Sequence, residues 1–126
     1  MAMKISKITY LVRNYEEAIS YFVEKLGFQL IENSQIDAQK RWVVVQAGQN
    51  SVQLLLARAV NEEQLAALGN QAGGRVGFFL QTDDFIGTFE RMRKNGVEFI
   101  EEPRQEIYGK VVVFMDLYGN LWDLLE

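Results

Sequence analysis

Histidine and cysteine are both absent from this chain of 126 residues, and it contains a single proline. Without cysteine there is no disulfide framework, no thiolate metal centre and no cysteine nucleophile. Without histidine the side chain best suited to proton transfer near neutral pH is missing, together with the commonest metal ligand. A Ser-His-Asp triad, a histidine zinc site and a 2-His-1-carboxylate iron site are excluded by composition. Apolar runs are short. Val43-Val44-Val45 and Leu54-Leu55-Leu56 fall far below the length that spans a bilayer, so no membrane is expected as a partner. No charged-then-apolar leader opens the sequence, which makes a cytoplasmic location the expectation. Positive charge is scarce as well. Thirteen Lys and Arg against 17 Asp and Glu leave a net charge of -4, which argues against nucleic acid and mildly favours cationic small molecules.

What is present is a repeat. The segment Asn50-Ser-Val-Gln53-Leu-Leu-Leu-Ala57 aligns with Asn120-Leu-Trp-Asp123-Leu-Leu-Glu126, placing Asn on Asn and Gln53 on Asp123. Upstream, Lys40 to Val45 faces Lys110 to Met115, and Phe28 to Asn33 faces Val97 to Glu102. The helical stretch from Asn14 matches the one from Asp84, with one extra residue in the first copy. Within each copy the hydrophobic period changes from two to 3.6 and back. Lys4 to Val12 reads as a strand. A helix follows, capped by Asn14 and stopped by Gly27, with Glu16 and Glu17 favourably placed in its first turn. Phe28 to Ile36, Arg41 to Ala47 and Ser51 to Ala57 complete the copy as strands. Asn61 to Leu68 is a short helix candidate, and Gly69 to Gly74 reads as the flexible part of a linker. The second copy runs through a strand at Arg75 to Thr82, a helix capped by Asp84, and strands at Val97 to Glu101, Lys110 to Met115 and Asn120 to Leu125. Pro103 to Gly109 reads as a loop. The expected architecture is α+β: two tandem βαβββ modules at 1–58 and 75–126, joined by a linker at 59–74. Their curved mixed sheets are expected to enclose a cup.

These features resemble the vicinal oxygen chelate superfamily of glyoxalases, extradiol dioxygenases, fosfomycin-modifying enzymes and bleomycin-binding resistance proteins. The resemblance runs over nearly the whole chain. Its signs are Asn14-Tyr-Glu-Glu-Ala-Ile-Ser-Tyr-Phe22, the helix exit Lys25-Leu-Gly-Phe28, Asn95-Gly-Val-Glu-Phe99 and the closing Asp116-Leu-Tyr-Gly-Asn-Leu-Trp-Asp123. Family members with a metal draw one ligand from the first and last strand of each module. Ungapped matching of the two copies carries those positions onto Lys7, Gln53, Gly77 and Asp123. An ammonium, an amide, a bare glycine and one carboxylate do not make a catalytic metal centre, so neither metal nor cofactor is expected.

Other occupants of the cup are then the candidates. Alternation puts Thr9 on the face of Lys7, and Phe79 on the face of Gly77. Lys7 and Asp123 have two readings: polar anchors on a pocket floor, or a snorkelling lysine and a hydrated carboxylate. Gln53 either orients a ligand or is satisfied by a neighbouring strand. Trp42, large for its position in the repeat, either lines the cup or packs in the core. Tyr108 either closes over the site or sits in a solvated loop. Trp122 alternates toward the helix layer and reads as core. The candidate ligand-binding set is therefore Lys7, Thr9, Trp42, Gln53, Phe79, Tyr108 and Asp123, with Asp123 the anchor for a cationic group. The leading reading is metal-free binding of a small organic molecule by a homodimer. The alternatives are an enzyme using Lys7, Asp123 or Tyr108 for acid–base chemistry, and a dimeric interaction protein without a ligand.

Overall fold

The computed structural model describes residues 1–126 as two compact units, Met1–Ala66 and Ala67–Glu126. The first contains β1 (Lys7–Val12), α1 (Tyr15–Ser20), β2 (Gln29–Gln35), β3 (Arg41–Gln46) and β4 (Gln53–Arg58), with α2 (Glu62–Ala67) at its end. Its sheet has the order β1-β4-β3-β2, in which the first and last strands of the module lie side by side in parallel. The second contains β5 (Val76–Gln81), α3 (Phe85–Lys94), β6 (Glu98–Phe99), β7 (Arg104–Glu106), β8 (Gly109–Met115) and β9 (Leu121–Leu125). Its order β5-β9-β8-β6 reproduces the first, again with parallel outer partners. The α+β pattern of repeated βαβββ modules is the observed fold.

α1 and α3 start on the caps read from the sequence. The Asn14 side chain accepts from the Glu17 backbone N–H, and Asp84 accepts from that of Gly87, satisfying donors that a helix start leaves open. One face of each sheet packs on its helix. In the first unit the fully buried Tyr10 meets Phe22 edge to face at 5.0 Å, with Ala18, Val43 and Leu56 also buried. In the second, Phe89, Phe99, Phe114, Trp122 and Phe78 form a chain of ring contacts with centroids 4.6–5.8 Å apart. Trp122 is 3% exposed, as its alternation toward the helix requires.

The extra residue of the first copy has a visible location. Thirteen positions separate Asn14 from Gly27, and twelve separate Asp84 from Gly96. α1 runs directly into a π-helical turn at Tyr21–Lys25, closed by the Leu26 N–H on the Tyr21 carbonyl. A single inserted residue is absorbed by one wider turn, so the residues on either side keep the same face toward the sheet.

Two segments differ from the sequence reading. The loop at Pro103 to Gly109 contains β7, which forms a hairpin with β8 and puts Ile107 and Tyr108 at the tip. Hydrophobic alternation could not reveal a strand reading Arg-Gln-Glu, whose facing side chains are held by charge. The segment read as flexible is a succession of turns docked on its own unit. Gly69 has φ +72°, and a Cβ there would lie 1.7 Å from the Tyr118 carbonyl oxygen.

Candidate functional site: a lined cavity in the first unit and a charged sheet face in the second

Strand alternation and register decide which side chains meet on the sheet face away from α1. Lys7 pairs with Gln53, Thr9 with Leu55 and Leu11 with Ala57 across the parallel ladder. Gln46 lies opposite Gln53 and Val44 opposite Leu55, so Trp42, two residues further along β3, falls on the same face. Lys7, Thr9, Trp42 and Gln53 thus share one surface. A cavity of about 660 Å³ opens at one end of it, within the size range of small-molecule sites. Thr9, Leu11, Trp42, Leu55 and Ala57 contribute its apolar wall together with Tyr15. Lys7 and Gln53 stand nearer the other end of their strands and do not line it.

The rest of the lining is what sequence reasoning missed. Asp37, Lys40 and Arg41 come from the turn into β3 and from its start, Arg58 from the end of β4, and Gln64 from α2. Arg41 is already engaged: it pairs with Glu16, donates to the Asn33 side chain and lies 5.0 Å over the Tyr15 ring. Asp37 accepts from the backbone N–H groups of Gln39 and Lys40. These bonds, that of Gln39 foremost, hold its carboxyl below the ordinary aspartate value. Arg58 donates through Nη2 to the Gln39 carbonyl at 3.0 Å. The local charge is therefore more basic than the chain's net charge suggested. Two arginines, one at the start of β3 and one at the end of β4, give no signal until those strands are paired.

In the second unit the parallel ladder pairs Asp123 with Phe79, not with Gly77. The ungapped matching of the repeat slips here for two reasons. The register shifts between Val76 and Phe78, and the position level with Asp123, Phe79, lies five residues before its helix cap, whereas Lys7, level with Gln53, lies seven before its own. The positions equivalent to Lys7 and Gln53 are accordingly Phe79 and Asp123.

Asp123 shares its surroundings with a charged group. Glu101 accepts from the Val113 backbone N–H at 3.0 Å and from Arg104 Nε at 3.1 Å. Arg104 also pairs with Glu106 and is hydrogen-bonded to Tyr108, the strongest of the interactions that keep the guanidinium charged. Asp123 Oδ1 is buried and accepts no hydrogen bond. Desolvation pushes the carboxyl above its ordinary value, Arg104 opposes the shift and Glu101 reinforces it. Asp123 and Tyr108 thus belong to one cluster organised by Arg104, whereas Phe79 stands 65% exposed beside Asp123 on the ladder.

Metal ligation is poorly served in both units. Lys7 with Gln53 offers one neutral oxygen beside a cation, and Phe79 with Asp123 offers one carboxylate beside a ring. No group of three or more acidic side chains is placed to hold an ion. The residues present do not fit the metal centre of metal-dependent members of this fold.

Comparison with known proteins agrees with the fold. The chain is 52% identical, over all of its length and 95% of the other's, to an uncharacterized protein of Shewanella frigidimarina (strain NCIMB 400). Among solved structures it superimposes on UcmS2 with a TM-score of 0.84 at 30% identity, covering 99% of this chain and 98% of that one. It also superimposes on TnmS3, an antibiotic binding protein from Streptomyces sp. CB03234. That match has a TM-score of 0.78 at 25% identity and covers 99% and 97%. Residues 4–124 match the family described as Glyoxalase/Bleomycin resistance protein/Dioxygenase superfamily, and the chain belongs to that superfamily.

Proposed function

We propose that this protein binds a small, planar organic molecule without a metal ion, in the cavity of its first unit. The observation that carries the reading is the cavity itself: about 660 Å³, walled by Trp42, Tyr15 and aliphatic side chains, with Asp37, Gln39, Lys40, Arg41, Arg58 and Gln64 also lining it. Apolar walls supply affinity by burial, and sparse polar groups fix orientation. The absence of histidine and cysteine supports a metal-free site on chemical grounds. The likeness to TnmS3, itself an antibiotic binding protein, supports ligand capture as a use of this fold.

A thermal-shift series on protein treated with EDTA tests the reading. N-phenyl-1-naphthylamine and other planar aromatics are suitable probes. A molecule at a hundred times its dissociation constant adds about 2.7 kcal/mol to stability. Stabilisation is expected without metal and unchanged by later addition of zinc or manganese. Stabilisation that appears only after metal is added contradicts the proposal.

A second reading draws on Asp123, whose buried oxygen lacks a donor while Arg104 and Glu101 act on its carboxyl. A carboxyl whose pKa is raised by desolvation is brought toward the range suited to acid–base chemistry. Any turnover observed would then depend on pH, with a limb that disappears in D123N.

A further inference from the structure

We infer that the molecule held in the first unit's cavity carries an acidic group, and that Arg58 is the residue that recognises it. This rests on the cavity being the binding site proposed above, and it narrows the ligand to an aromatic or alicyclic acid: a carboxylate, sulfonate or ionised phenol. The chain's net charge of -4 points the other way, so the inference depends on the local arrangement.

Four charged side chains line the cavity: Asp37, Lys40, Arg41 and Arg58. Arg41 is neutralised by Glu16 and held further by Asn33. Lys40 forms no ion pair, but it acts through space on Asp37, whose carboxylate is held by two backbone N–H groups. Arg58 differs from both in having a buried donor without an acceptor. No carboxylate of the chain lies within ion-pair distance of it. Of its donors, one is used on the Gln39 carbonyl, which fixes the plane of the guanidinium. Its Nε is buried and has no acceptor. A guanidinium fixed in orientation, bordering a cavity and lacking an acceptor at Nε, is matched by an oxyanion, which accepts charge-assisted hydrogen bonds from Nε and an adjacent Nη. Trp42 borders the same space and supplies an aromatic surface for a ring.

Two probes that differ only in charge make the test. 8-Anilinonaphthalene-1-sulfonate and N-phenyl-1-naphthylamine share one ring system, and only the first bears an anionic group. Both are titrated into the whole protein, with 1:1 stoichiometry and quenching of Trp42 marking the cavity. The sulfonate is expected to bind about tenfold more tightly at low salt, a difference typical of one charge-assisted pair. In R58Q that preference falls to about twofold or less, while the neutral probe is little changed. R58K, which keeps the charge but loses the paired donors, retains part of it. Raising the salt should weaken the sulfonate alone. Equal affinity of the two probes for the unmodified protein overturns the inference, as does a preference that survives intact in R58Q. In both cases cavity binding stands, because the neutral probe still binds. Failure of both probes overturns the cavity reading and the inference with it.

Discussion

The residue on which most local structure depends is Asp116, which is 5% exposed and whose carboxylate receives four donors. The backbone N–H groups of Tyr118 and Asn120 reach Oδ1 at 3.0 Å, the Asn120 amide reaches Oδ2 at 3.1 Å, and Trp122 Nε1 reaches Oδ2 at 2.9 Å. The sequence showed Asp116 only as the first residue of the closing segment that runs to Asp123. Its bond to Trp122 was hidden, because a ring read as core gives no hint of where its N–H goes. Substituting Asp116→Ala leaves that buried indole donor and two backbone donors without acceptors, and should cost about 3 kcal/mol or more in urea unfolding. A loss below about 1 kcal/mol would show that water replaces the carboxylate. Asp123 behaves oppositely. Its folded-state pKa is raised above 3.8, chiefly by desolvation. The native state therefore holds a proton more readily than the unfolded chain, and stability falls as pH rises through the window between the two values. D123N removes this burden. It should melt at a higher temperature than the parent at pH 7, and the gain should shrink as pH falls toward 4. Melting curves across that range decide it, and a gain that does not depend on pH contradicts the sign.

Among the elements, helices and most strands were legible because apolar residues mark their period directly. Counting in twos put Thr9 on the face of Lys7, and it lines the cavity beside Trp42, which its size in the repeat had left open between cup and core. What stayed hidden was register across strands distant in sequence. Gly77 was matched to Lys7 by an ungapped repeat, whereas Phe79 holds the equivalent place on the ladder. Arg58 and Arg104 acquire meaning only once β4 and β7 have partners. The turns at 69–74 were misread for a related reason. Glycines suggest mobility in a sequence, yet Gly69 is there because nothing larger fits against Tyr118. Gly69→Ala combines a positive φ with a backbone collision, and should destabilise by about 2–4 kcal/mol in thermal or chemical denaturation. A change within about 0.5 kcal/mol would mean that the turn relaxes away from Tyr118.

For the whole molecule, membership of the superfamily fixes the architecture and leaves the chemistry to the side chains. No helix is long and apolar enough to cross a membrane. Large apolar side chains remain exposed in both units, Ile8, Leu30 and Ile31 in the first, Phe79 and Ile107 in the second. We propose that a homodimer covers part of this surface. Light scattering coupled to gel filtration should give twice the chain mass of 14.5 kDa at micromolar concentration, and a monomer mass at that concentration contradicts it. The central claim is metal-free capture of a planar organic molecule beside Trp42. Its most direct test is calorimetric titration of N-phenyl-1-naphthylamine into EDTA-treated protein, alongside W42L. One molecule bound per chain is expected without any metal. Loss of the indole face should weaken binding about three- to tenfold, in keeping with one aromatic contact. No binding by metal-stripped protein, or affinity indifferent to the loss of Trp42, would contradict the claim.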